Sequence, residues 1–206
     1  MDMKHKVLSG DECFEIDGQK ANTTVKDFWA WSMSRLIGDG PRGDLAEFIV
    51  NKALDTDVTI PKKGWGECDI VYIHAGKIVK IEVKCSTLLQ AWERKTTPKP
   101  VFSISKTLNC DIGETETGYL YIGRDGTPPR RRSDVYVFCL FAEKDRSKAN
   151  PLILDQWKFY IVPTKLIDEQ LGDQRSISLR GLEKIGSIPY GFRDIRPEVD
   201  KIANTI

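Results

Sequence analysis

Glu82 and Lys84 stand two residues apart in the run Lys77-Ile-Val-Lys-Ile-Glu-Val-Lys84, and the period-two geometry of a β-strand points both side chains from one face. A strand built this way holds a carboxylate and an ammonium rigidly side by side. Val79, Ile81 and Val83 take the other face, so the apolar side can enter a core while Lys80, Glu82 and Lys84 face a polar space.

The preceding run, Glu67-Cys-Asp-Ile-Val-Tyr-Ile73, also alternates, and His74-Ala-Gly-Lys77 supplies a short turn with glycine available for a positive φ. The expectation is a hairpin. A turn centred between Ala75 and Gly76 sets Asp69 opposite Glu82 and Glu67 opposite Lys84, and opposed residues share a face with Cβ atoms about 5 Å apart. Two carboxylates so placed repel unless a cation or a proton relieves them. Hard cations such as Mg²⁺ take oxygen ligands and keep several waters, so two carboxylates and a substrate phosphate suffice. A lysine alongside can stabilise charge on a phosphoryl group or help deprotonate an attacking water, and Lys84 has the reach. The chemistry indicated is metal-assisted phosphodiester hydrolysis, with Mg²⁺ as the ion and Mn²⁺ as its substitute.

Asp69, the 12-residue interval, and Glu82-Val83-Lys84 on adjacent strands resemble the signature of the PD-(D/E)XK nuclease superfamily, with Cys68 standing where proline often precedes the aspartate. The resemblance implies a restriction endonuclease-like α/β fold, a mixed central β-sheet flanked by α-helices. It implies a Mg²⁺-dependent DNA endonuclease, restriction-type first because the compact chain carries no ATPase motif, with a repair or Holliday-junction nuclease as the alternative. Many members place a glutamate on a helix before the hairpin, and Glu47 matches that residue, making Asp69, Glu82 and Glu47 the expected metal ligands. Gln90 matches a functional glutamine of some members. Glu67 is a further accessory candidate.

An acidic residue, any residue, then lysine occurs three times in the chain, and only the copy at Glu82 lies in an apolar strand that follows another strand bearing an acidic residue. The competing reading is an amphipathic hairpin with its charges in water and Glu67 paired to Lys84 across the strands. Glu47 lies at the edge of a helical stripe of Leu45, Ala46, Phe48, Ile49, Val50, Ala53 and Leu54, expected to be buried. Thr87 and Gln90 could equally form a capping box for a helix near 87–94.

Composition fits one globular domain over 1–206: an N-terminal extension at 1–22, a core at 23–170 and a helical segment at 171–206, 40% hydrophobic and 30% charged overall. Five cysteines without a Cys-x-x-Cys pair suit reduced thiols, and two histidines leave little for imidazole chemistry. Cys68 and Cys85 are expected to face away from the acidic cluster. The first residues form no apolar signal segment and no stretch suits a membrane span, so the expected location is cytoplasmic.

A net charge of +1 does not mark a nucleic-acid binder. Local clusters do more: Arg94, Lys95 and Lys99, and Arg124 with Arg130, Arg131 and Arg132, are candidate DNA-backbone contacts. A homodimer would allow both strands to be cut. A noncatalytic DNA-binding module of the same fold, or a structural subunit of a larger defence or repair complex, remains an alternative.

The other expected elements are a helix capped at Asn22-Thr23, with Val25, Phe28, Trp29, Ser32 and Leu36 inward and an end at Gly38-Asp-Gly-Pro41. Strands follow near 101–105 and 118–122, at 134–141 as a buried central strand, and at 157–162. A helix at 163–170 stops at Gly172, and two short helices lie within 178–206 around a turn at Pro189-Tyr-Gly191.

Overall fold

Every residue of Val135–Phe141 is buried, as a strand covered on both faces requires, and the rest of the fold is arranged around it. The computed structural model describes residues 7–59, 62, 66–92, 98–108, 111–115, 118–123 and 126–206. In chain order these form β1 (Cys13–Ile16), β2 (Gln19–Thr24), α1 (Val25–Met33), α2 (Asp39–Leu54), β3 (Ile70–His74), β4 (Lys77–Thr87), β5 (Val101–Ser103), β6 (Asp111–Thr115) and β7 (Gly118–Gly123). There follow β8 (Val135–Phe141), β9 (Trp157–Pro163), α3 (Thr164–Leu171), β10 (Ser176–Ser178), α4 (Leu179–Lys184) and α5 (Ile195–Ala203).

The central sheet has the order β3-β4-β8-β9. β4 runs parallel to β8, and the outer pairs are antiparallel. This is a mixed α/β architecture with helices on both faces. One core joins Ala46, Ile49, Val50 and Leu54 of α2 and Ile195, Val199 and Ala203 of α5 to Val79, Ile81 and Val83 of β4. The other joins Tyr136, Phe138 and Leu140 of β8 to Phe102, Ile104, Ile167 and Leu182. Each fully buried Val, Leu, Ile or Phe contributes about 1.5–3 kcal/mol, so β4 and β8 form a rigid base for whatever projects from their ends. The hairpin is also tied to α5, where the Tyr72 hydroxyl donates to Asp200 at 2.7 Å and Lys77 Nζ donates to the Ile206 carbonyl at 2.8 Å.

Several sequence expectations are corrected. The first lies at the junction of the N-terminal extension and the core, where β1 and β2 form a hairpin and α1 is capped by Thr24. Its Oγ1 accepts from the Asp27 N–H at 3.3 Å, while the Asp27 carboxylate accepts the Thr24 N–H at 2.7 Å. No residue of α1 is buried and Trp31 is 83% exposed, because no other described element covers the helix face expected to turn inward. Gly38-Asp-Gly-Pro41 opens α2 instead of closing α1. Pro41 is tolerated in that first turn because its missing N–H would have had no helical partner. Phe48 is half-exposed, with Lys52 Nζ 5.9 Å from its ring centre. β4 extends to Thr87 and no helix forms over the described residues 88–92. The Thr87 hydroxyl there donates to the Leu89 carbonyl and accepts the Leu89 N–H, closing a turn instead of capping a helix. β6 and β10 were not expected. Gly172 ends α3 with φ +53°. Tyr190 pairs with Phe159 as an isolated bridge where a turn was anticipated.

Candidate active site

Ala75 and Gly76 both have positive φ, the backbone of a tight two-residue hairpin turn, and pairing runs from His74 opposite Lys77 to Ile70 opposite Ile81. Continuing this register would put Asp69 opposite Glu82. The chain departs one residue short of it: the Asp69 N–H donates to the Ile81 carbonyl at 3.1 Å, and Asp69 Oδ2 accepts the Val83 N–H at 2.8 Å. Val83 is buried, and its N–H points to the side that β3 has just vacated. The carboxylate therefore replaces the missing strand partner and is fixed at the point where β3 leaves β4.

Glu82 and Lys84 share one face of β4, as expected. Lys84 Nζ donates to Glu82 Oε1 at 2.5 Å, and the Ser133 hydroxyl donates to Glu82 Oε2 at 3.2 Å. Glu82 lies beside Tyr136 in the parallel β4–β8 register. Burial, and after it the charges of Glu82 and Asp69, push the Tyr136 phenol up. Cys68 is half-buried, and its thiol is pushed up to about 11 by burial first, with Asp69 and Glu82 adding to the shift. Both carboxylates thus act on the same two neighbours. Cys68 is on the acidic side, contrary to expectation, because the register breaks beside it; Cys85 packs against the α2 core as expected. Loss of register also corrects the Glu67–Lys84 pairing. Glu67 instead pairs with Lys80, with Arg132 Nη1 3.9 Å away.

Glu47 lies across the sheet from Glu82, on the helix that covers the Val79, Ile81 and Val83 face. Its side chain is 15% exposed, and Lys62 Nζ bridges it at 2.8 Å to Asp44 at 2.6 Å. Burial raises its carboxyl above the ordinary range and Asp69 raises it further, against the lowering by Lys62. Glu47, Cys68 and Asp69 share the wall of a cavity of about 670 Å³ with Phe48 and Lys62. Among the described residues, no three carboxylate, imidazole or thiol groups converge closely enough to hold one ion. The expected triad is therefore not gathered, since Glu47 and Glu82 lie on opposite faces with Asp69 at the sheet end between them. Asp69, where β3 parts from β4, and Glu82 on β4 both offer carboxylate oxygens, the donor type that hard divalent cations take.

The basic candidates divide. Arg94, Lys95 and Arg124 lie outside the described residues, whereas Lys99 and Arg130 are exposed. Arg131 is corrected from a DNA contact to a structural clamp. Its fully buried side chain donates to the Ile104, Gly172 and Gln174 carbonyls and to Asp168. The Arg132 side chain is 5% exposed. Gln90 is half-buried with Oε1 unpartnered, and its carbonyl accepts from Arg146 at 3.0 Å. Sequence reasoning missed Ser133, Asp134 and Lys62. Asp134 Oδ2 accepts the Lys80 N–H at 2.8 Å, and with Ser133 it depends on the parallel β4–β8 pairing, which carries no local signal.

No protein family and no curated protein matches the chain. Among solved structures it is similar to a bacterial homing endonuclease, I-Ssp6803I, at 19% identity and a TM-score of 0.36, over 69% of this chain and 78% of that one.

Proposed function

We propose that the chain is a Mg²⁺-dependent DNA endonuclease of the PD-(D/E)XK type, restriction-type in the first instance. The observation that carries this reading is the Asp69 carboxylate, held on the Val83 N–H at the β3–β4 parting, next to the paired Glu82 and Lys84. Asp69 and Glu82 would hold the ion. When bound, it supplies Lewis acidity at a phosphoryl oxygen and a water of lowered pKa.

The chain's own groups do the remaining work. Ser133 fixes one oxygen of Glu82 and Lys84 the other, so the carboxylate keeps its orientation before substrate arrives. The Lys84 ammonium, carried on a strand whose Val79, Ile81 and Val83 are anchored in the core with α2 and α5, stabilises the negative charge that develops on the phosphoryl oxygens. Glu47 is a positioning candidate, its charge acting through Asp69.

The test is incubation of plasmid, linear and branched DNA with Mg²⁺, Mn²⁺, Ca²⁺ or excess EDTA. Cleavage is expected with Mg²⁺ and Mn²⁺, and binding without efficient cutting with Ca²⁺. Equal cleavage in EDTA removes the metal mechanism, and no cleavage of any substrate with any ion removes the enzyme reading.

A further inference from the structure

β3 is an edge of the central sheet, with β4 on one side and, among the described residues, no strand on the other. Which of its backbone groups face the open side follows from β4. The Lys80 N–H donates to Asp134 Oδ2 at 2.8 Å and the Lys80 carbonyl accepts the Asp134 N–H at 2.7 Å, so both groups point to the β8 side. Val71 is the antiparallel partner of Lys80, and in such a ladder opposed residues either bond each other or both turn away. Val71 therefore presents its N–H and carbonyl to the open edge, and Ile73, two residues on and opposite Ile78, does the same. Among the described residues nothing bonds to these outward groups.

The side chains at the same positions are apolar and exposed. Val71 is 57% exposed, Ile73 68% and Ile78 66%, all on the Lys80 face, whereas Ile70 and Tyr72 are buried on the other. Sheet edges are normally blunted by a charge, a proline or a bulge. Ile70-Val-Tyr-Ile-His74 contains no Lys, Arg, Asp, Glu or Pro, and its pairing with β4 is regular. Alongside the edge, Ile70 and Val71 form part of the wall of the 670 Å³ cavity.

The occupant that fits is a second copy of the same strand. Two β3 strands antiparallel about a two-fold axis at Tyr72 set Val71 opposite Ile73 of the second copy, and every outward N–H and carbonyl then meets a counterpart that is also unpaired in the single chain. The same symmetry lines up both copies' Val71 and Ile73 in one apolar row on the Lys80 face. A net charge of +1 per chain leaves little repulsion between copies. The axis of an antiparallel pair is perpendicular to the sheet, so both Glu82–Lys84 pairs face the same side.

We propose that β3 is a self-association edge, at which two copies of the chain join Val71 opposite Ile73 into one continuous sheet. That both sites then meet the two strands of one duplex rests on the nuclease reading; the interface itself does not.

Sedimentation equilibrium and amide hydrogen exchange test it without DNA. A pairing this short buries less than the standard interface of about 800 Å² a side, and a dissociation constant of about 10–100 µM is expected. Ile73→Lys puts a charge into the apolar row at a position that is exposed in the single chain, so it should weaken association at least about tenfold while dilute protein melts within about 2 °C of wild type. Trp31→Lys, at the exposed α1 surface, should associate as wild type does. The Val71 and Ile73 amides should exchange rapidly in dilute protein and become protected as concentration passes the dissociation constant.

A wild type that stays monomeric well above that range overturns the proposal. So does a dimer that survives Ile73→Lys, dissociates in Trp31→Lys, or leaves the Val71 and Ile73 amides unprotected, since association then uses another face. A dimer with protected edge amides in a chain that cleaves no DNA upholds the interface and overturns the nuclease reading alone.

Discussion

Replacing Asp69 by alanine and by asparagine separates what its carboxylate does for the fold from what it does for an ion. β3 begins only at Ile70, so the buried Val83 N–H has no strand partner and relies on Asp69 Oδ2 at 2.8 Å. Alanine leaves that donor unsatisfied beneath the apolar face, a cost of about 1–2 kcal/mol. For a domain of this size 1 kcal/mol moves Tm by about 2–4 °C, so Asp69→Ala should melt about 2–8 °C below wild type in EDTA. Asparagine keeps an acceptor and removes the repulsion that Asp69 exerts on Glu47. These changes oppose one another, and Asp69→Asn should stay within about 2 °C of wild type. Neither variant should show the rise in Tm that Mn²⁺ gives the wild type, since stabilisation by a ligand follows its occupancy of the folded state. Thermal melts of the three proteins in EDTA and in Mn²⁺ measure all of this. An Asp69→Ala protein as stable as wild type refutes the argument from Val83, and an undiminished Mn²⁺ response in Asp69→Asn refutes the ligand assignment.

Lys84→Ala should slow cleavage about a hundredfold or more while keeping the Mn²⁺-induced rise in Tm, as expected of a group that acts on transition-state charge; single-turnover rates decide it. Glu47 has a raised carboxyl in the folded chain, so its stabilising contribution is present below the ordinary carboxylate range and is lost as pH rises through the raised value. Glu47→Gln should lack that loss, read as the difference between the two melting profiles from acid to neutral pH; parallel profiles contradict it. Arg131→Met should destabilise the fold by about 3 kcal/mol in urea titrations, because it leaves three carbonyls and Asp168 without their donor, whereas Arg130→Ala should change stability by less than about 0.5 kcal/mol.

Much of this architecture is local and therefore readable along the chain. The run Val135–Phe141 contains only apolar side chains, which demands cover on both faces, and Ala75-Gly76 with alternating flanks specifies a tight hairpin. The period of two then puts Glu82 and Lys84 on one face and Val83 in the core whatever surrounds them. The register of β3 and β4 was also legible as far as Ile70, because a one-residue slip would turn every apolar side chain outward.

Tertiary structure decided the rest, because those choices depend on chain segments distant in sequence. Whether Asp69 continues the ladder or turns its carboxylate onto the Val83 N–H depends on where β3 loses contact with the sheet. Helical periodicity could place Glu47 at the edge of α2 but could not tell which face of the sheet α2 would cover, and that face separates it from Glu82. Arg130, Arg131 and Arg132 are equivalent in sequence, yet one is exposed and the next is enclosed by the carbonyls of Ile104, Gly172 and Gln174. Composition sets how much apolar surface must be hidden and periodicity sets which side of each element hides it. Only the packing of one element on another determines which polar groups end up facing each other.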